Sequence, residues 1–255
     1  MSDRPTAELE PGYFGPGSRL FGCYHPPQGG ARAAAVVLCA PVGEEYIRVH
    51  RTGRQLATHL ARRGFGVLRF DFSGCGDAAG ACEEGRVGRW LADVAAAIAE
   101  VRRRRPGAPL GLVGLRLGGT LAALHAAGRG DVEGLVLWDP VLRGKAYLDE
   151  LAALHEAECG PAQDEALGFP LPEALRADLA ALDLLALTRP PARRVLVVES
   201  APGEGGALAA HLGRLGAQAD HQHRPAPRVW LKEHKTVVPH QVLQAIVAWL
   251  EGALP

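Results

Sequence analysis

The chain has 255 residues, 47% of them hydrophobic, which suits one large α/β domain with a buried core and leaves no room for two ordinary domains and a linker. Lysine plus arginine and aspartate plus glutamate balance at 28 each, so composition excludes a charge-driven preference for nucleic acid or an anionic membrane as main partner. No N-terminal basic stretch leads into an apolar core, no apolar run approaches the ~20 residues of a membrane span, and the five cysteines, without C-x-x-C spacing, read as reduced thiols; a cytoplasmic location is expected.

After a Pro/Gly-rich lead-in, residues 35–39 read as a buried strand and 48–63 as an amphipathic helix ending at Gly64. A strand over 65–71 runs into the glycine-rich turn Ser73-Gly-Cys-Gly-Asp77. Helix 86–104 follows, its Arg102–Arg105 end suiting the negative pole of the helix dipole, and then strand 109–114. Beyond it come helix 117–128 and strand 132–138. Between Pro140 and Pro191, two helical stretches at 146–158 and 172–187 have the size of a small lid, spanning roughly 142–190. Strand 194–198, helix 205–215, a last strand at 228–231 and an amphipathic helix at 239–252 complete the pattern. Strands alternating with helices of this length predict right-handed crossovers: an α/β fold with a mostly parallel sheet and helices on both faces, here one domain over 1–255.

The segment from Gly111 to Thr120 carries the most chemistry. Its Gly114-Leu-Arg-Leu-Gly118 is the glycine frame of a nucleophile elbow, G-x-S-x-G, with Arg116 where serine would stand. Serine, cysteine or aspartate at such a turn attacks a carbonyl; a guanidinium stays protonated and has no lone pair to give. A cation at the start of the following helix is also disfavoured by the dipole, by about 0.3–1 kcal/mol, so something anionic must compensate. Glu44, Glu45 and Asp139 are the carboxylates that neighbouring loops bring to this end of the sheet. They pair with Arg116 internally, or Arg116 holds the carboxylate or phosphate of a ligand.

These segments resemble the α/β-hydrolase superfamily, specifically its serine-aminopeptidase-like branch and the bacterial exosortase A system-associated hydrolases. The likeness rests on Pro41-Val-Gly-Glu-Glu45, Leu68 to Asp77, the elbow, Leu137-Trp-Asp-Pro-Val141, and Glu233-His234 with Trp249-Leu250. It implies that amides near Val42 and Gly43, with that of Leu117, form an oxyanion hole, and that His234 is the catalytic histidine. The usual aspartate after strand 194–198 is missing, and Glu199 and Glu204 offer only glutamates there; Asp139, at the end of strand 132–138, is the better candidate for the acid, or it only initiates a turn before Pro140. No cofactor or metal is implied.

Other residues invite weaker readings. Ser73 and Cys75 are the side chains nearest to serving as a relocated nucleophile, but no base adjoins them in sequence and a structural loop accounts for both. His221 and His223 have the i, i+2 spacing of one strand face and could hold a metal, yet a charged surface loop accounts for them too. Asp77 reads as a local cap. The expected function is a hydrolase-family protein with a degenerate elbow. It binds a small acyl, peptidyl or carboxylate ligand, or hydrolyses it by a non-covalent route in which His234 activates water. The alternatives are a non-catalytic scaffold or partner-binding pseudohydrolase, and an ester hydrolase using Ser73 or Cys75. No nucleic acid partner is expected, and oligomeric state is left open.

Overall fold

The computed structural model describes residues 8–28, 30, 32–161, 164–231 and 237–254. Eight strands form one sheet: β1 (Glu10–Phe14), β2 (Leu20–His25), β3 (Ala35–Cys39), β4 (Gly66–Phe70), β5 (Leu110–Leu115), β6 (Gly134–Trp138), β9 (Arg194–Glu199) and β10 (Gln218–His223). A two-stranded ribbon, β7 (Glu165–Ala166) with β8 (Phe169–Pro170), lies apart from it. The main order is β1-β2-β4-β3-β5-β6-β9-β10, parallel from β4 to β10, with β1 and β2 antiparallel at one edge.

Helices cover both faces because the central strands are apolar on both sides. Strand β3, Ala-Val-Val-Leu-Cys, is buried at all five positions, as parallel strands between helix layers must be. On one face α1 (Glu44–Arg62) and α7 (His240–Ala253) pack through Val49, Leu56, Leu60, Val242 and Ile246. The other face is covered by α2 (Val87–Arg104), α3 (Leu117–Ala126) and α6 (Gly205–Arg214). Between β6 and β9 the chain makes α4 (Gly144–Cys159), the β7–β8 ribbon, α5 (Glu173–Ala180) and a short 3-10 turn at Leu184–Ala186.

Several expectations need correcting. The lead-in is not irregular: it forms the β1–β2 hairpin, whose signal is masked because Pro11 and Gly12 sit in an exposed edge strand, where a missing donor or side chain costs little. Helix α1 begins at Glu44 instead of 48, directly after Gly43 at φ 64°, with Glu44 and Glu45 favourably placed in its first turn. The stretch expected as helix 172–187 stops at Ala180. The last strand is not 228–231, which is a turn. It is the polar segment Gln218–His223, an edge strand held to β9 by main-chain pairing with little apolar surface to bury. His221 and His223 therefore lie in a strand, not a loop.

Candidate functional site

The site is built where β5, β3 and β6 end. Arg116, between β5 and α3, has φ 53° and ψ −128°, the strained turn of an elbow. The glycines make that turn possible. A Cβ at Gly118 would collide with the carbonyl oxygens of Cys39 and Ala40, and one at Gly114 with the backbone of Gly119. The Arg116 amide donates to the Trp138 carbonyl (3.0 Å), tying the turn to the end of β6.

The Arg116 side chain is only 10% exposed, so its charge must be met inside the protein. Nε donates to Glu45 Oε1 (2.9 Å) and Nη2 to Glu150 Oε2 (2.6 Å). Glu45 belongs to the first turn of α1 and Glu150 to α4, so one guanidinium ties three helices together. Tyr147, one turn before Glu150, donates its hydroxyl to Glu45 Oε2 (3.2 Å). The rings of Tyr147 and Trp230 lie 5.4 and 4.9 Å from the guanidinium carbon. Burial works against the guanidinium's charge, but Glu45 and Glu150 outweigh it and hold the group charged well beyond its ordinary range. Burial pushes the Glu45 carboxyl up, and Arg116 and Tyr147 oppose that shift.

Of the three expected partners, Arg116 thus takes Glu45 alone. Glu44 pairs with Arg48 along α1, and Asp139 turns toward β9. Glu150, Tyr147 and Trp230 were not foreseen. Tyr147 and Glu150 share a helix face at i, i+3, a usable signal; Trp230 was assigned to a strand that does not form.

Asp139, at φ 41°, closes β6 as Arg116 closes β5. Its Oδ1 accepts from the Ser200 amide (2.9 Å), while the buried Oδ2 has no partner among the described residues. Burial raises its pKa against the pull of Ser200 and Arg116. His234 lies outside the described residues. At the end of β9, Glu199 accepts from the Gly205 amide (2.7 Å) and pairs with His221 Nε2 (2.7 Å), joining α6 and the edge strand to β9.

The remaining candidates gather around a cavity of about 70 Å³ beside the Arg116 cluster, lined by Val42, Gly43, Glu45, Tyr147, Leu151 and Phe169, with Ser73 and Cys75 also on its wall. Leu117, buried, opens α3. The Gly43 amide meets the Cys75 sulfur, whose thiol burial pushes up to about 12, so it stays protonated at neutral pH. Ser73 Oγ donates to Asp93 Oδ1 (3.0 Å) and its amide to Oδ2 (2.8 Å); Trp90 Nε1 donates to its carbonyl (3.2 Å). Asp77 is not the cap of the glycine turn: Asp71 is, accepting the Asp77 amide (3.0 Å) and the Tyr46 hydroxyl (2.6 Å). No three-residue group able to hold a metal occurs among the described residues, and no helix there is long and apolar enough to cross a membrane.

Solved structures show the same architecture. An esterase from Pyrococcus furiosus matches with a TM-score of 0.71 at 15% identity, over 97% of this chain and 92% of its own. Est1E from Butyrivibrio proteoclasticus matches at 0.68 and 14%, over 95% and 98%. A protein from Xanthomonas campestris described as an α/β serine hydrolase without lid matches at 0.64 and 18%, over 98% and 96%. At these identities the likeness is one of fold. No curated protein sequence matches. The family described as serine aminopeptidase, S33 matches residues 30–165, more than half of the chain, and the chain belongs to that α/β-hydrolase family.

Proposed function

We propose that the chain is a pseudohydrolase, a family member whose acyl site has become an internal ion-pair lock and whose role is non-covalent. The observation that carries this reading is the Arg116 guanidinium, standing at the elbow where a nucleophile would attack and enclosed by Glu45, Glu150, Tyr147 and Trp230. Neither relocated nucleophile is poised to replace it. The Ser73 hydroxyl proton goes to a carboxylate with no histidine beside it among the described residues, and Cys75 is held as the thiol. In this reading the excursion over 142–190 is a lid, and Glu150 fastens it to the elbow.

The cavity beside the lock favours a second, compatible role: holding a small acyl group. With two carboxylates already on Arg116, the site favours an apolar acyl chain over a free carboxylate or phosphate. Association with an exosortase system and non-covalent hydrolysis through His234 and Asp139 remain further parts of the sequence reading, and the second is tested alongside the first. The purified protein is expected to resist a fluorophosphonate probe and to hydrolyse p-nitrophenyl esters from acetate to octanoate at background rates. Stoichiometric labelling at Ser73 would overturn the pseudohydrolase reading, and turnover abolished by His234→Ala without labelling would replace it with the non-covalent route.

A further inference from the structure

Helix α1 carries four arginines, with a fifth, Arg63, at its C-cap, and no carboxylate from Tyr46 to Arg63. Arg48 pairs with Glu44 at one end and Arg63 with Glu251 at the other. Between them Arg51, Arg54 and Arg62 are exposed, and none makes an ion pair among the described residues. Their spacing, with Gln55, Thr58 and His59, is i, i+3, i+4, i+7, i+8 and i+11, which places all six on one face of the helix. Together they form a shallow groove of about 340 Å³.

Elsewhere the protein treats neighbouring arginines differently. Arg102 and Arg129 share Asp131, Arg103 and Arg104 share Glu100, and Arg32 and Arg63 share Glu251. On a chain with zero formal net charge, a groove with three guanidiniums that find no ion pair among the described residues is a local concentration of donors. His59 adds to it: burial, Arg62 and His240 of α7 all disfavour its protonation. Burial and then Arg69 depress the His25 ring, and Arg54 acts in the same direction.

We propose that this face of α1 is a binding site for a ligand carrying several phosphate groups in series. The guanidinium fork matches phosphate oxygens in pairs, and the neutral Gln55, Thr58 and His59 supply further hydrogen-bonding groups. Length selects the valence. Arg51, Arg54 and Arg62 are spread over about 16 Å of helix rise, three turns, so one orthophosphate cannot meet them all, whereas a phosphate chain onto which their long side chains converge, or a row of headgroups, can. The site lies on the opposite sheet face from α2, α3 and α6, and is independent of the pseudohydrolase reading.

The test is titration of the full chain with inorganic tripolyphosphate and with orthophosphate at matched ionic strength, and cosedimentation with phosphatidylglycerol and phosphatidylcholine vesicles. Tripolyphosphate is expected to bind at least about tenfold more tightly than orthophosphate, to weaken as salt rises, and to shift the His59 ring resonances. Selective cosedimentation with phosphatidylglycerol would assign the phosphates to lipid headgroups, and tripolyphosphate binding without it to a soluble ligand; either supports the proposal. The Arg51→Glu/Arg54→Glu variant should lose binding and the milder Arg51→Gln/Arg54→Gln should weaken it at least about fivefold, whereas Arg214→Glu on α6 should leave it unchanged. Absence of binding to both sources overturns the proposal. So does binding that the groove variants retain, or that Arg214→Glu weakens equally.

Discussion

At Arg116 the elbow carries a side chain whose charge must be neutralised inside the protein. The magnitudes of its two ion pairs should differ sharply. Glu45 has a side chain 5% exposed, so Glu45→Gln leaves a buried guanidinium short of its buried counter-charge and should cost about 3 kcal/mol. Glu150 is 33% exposed at its side chain and solvent screens it; Glu150→Gln should cost less than about 1 kcal/mol. Arg116→Met strands Glu45, but burial already pushes that carboxyl toward its neutral form, whereas a stranded guanidinium cannot discharge, so the variant should be milder than Glu45→Gln. Urea unfolding of the three variants checks the order, and equal costs for the two carboxylates would show that the pairing is not what holds Arg116.

At the scale of elements, the elbow depends on close approach and α1 does not. Gly118→Ala should destabilise by about 3 kcal/mol or more, since its Cβ would enter the backbone of the β3–α1 loop. Gly53→Ala, in the middle of α1 with nothing within 4 Å of the added methyl, should stabilise by about 0.5–1 kcal/mol. Thermal melts of the pair make the comparison. The same contrast explains what could be read from sequence. Central strands such as β3 and β5 announce themselves because both faces are apolar, and the elbow because its glycines are sterically required. The edges stay hidden: β1 contains Pro11 and β10 reads Gln-Ala-Asp-His-Gln-His, so pairing in the main chain, invisible in side-chain pattern, decides both. The Arg116–Glu45 pair was legible because few carboxylates reach that end of the sheet. Glu150 and Trp230 were not, since each arrives from a segment whose path follows from tertiary packing.

For the whole molecule, stability should fall on mild acidification. His25 is 1% exposed and accepts a hydrogen bond from Arg69 Nε (3.1 Å) at Nε2, which requires the neutral ring. Burial, aided by Arg69 and Arg54, lowers its pKa to about 4, from an ordinary 6.5. The unfolded chain takes up this proton first, so the contribution is intact above about pH 6.5 and is lost progressively as pH falls toward 4, on the order of 2 kcal/mol in all. His59 and His125 shift the same way. Denaturant midpoints measured from pH 7.5 to 4.5 should drop over this window. His25→Gln should flatten the decline; a slope unchanged by that substitution would remove His25 from the account.

The three-helix cluster around Arg116 also bears on what serine would meet at the elbow. Arg116→Ser would leave Glu45 buried and Glu150 beside it, two carboxylates without a cation, so the variant should be less stable than the chain it came from. Serine would be tolerated there only along a path that first discharges Glu45. On the pseudohydrolase reading the arrangement acts as a ratchet: with the counter-charges in place, folding alone retains arginine at the elbow, whether or not anything selects against the chemistry serine would allow.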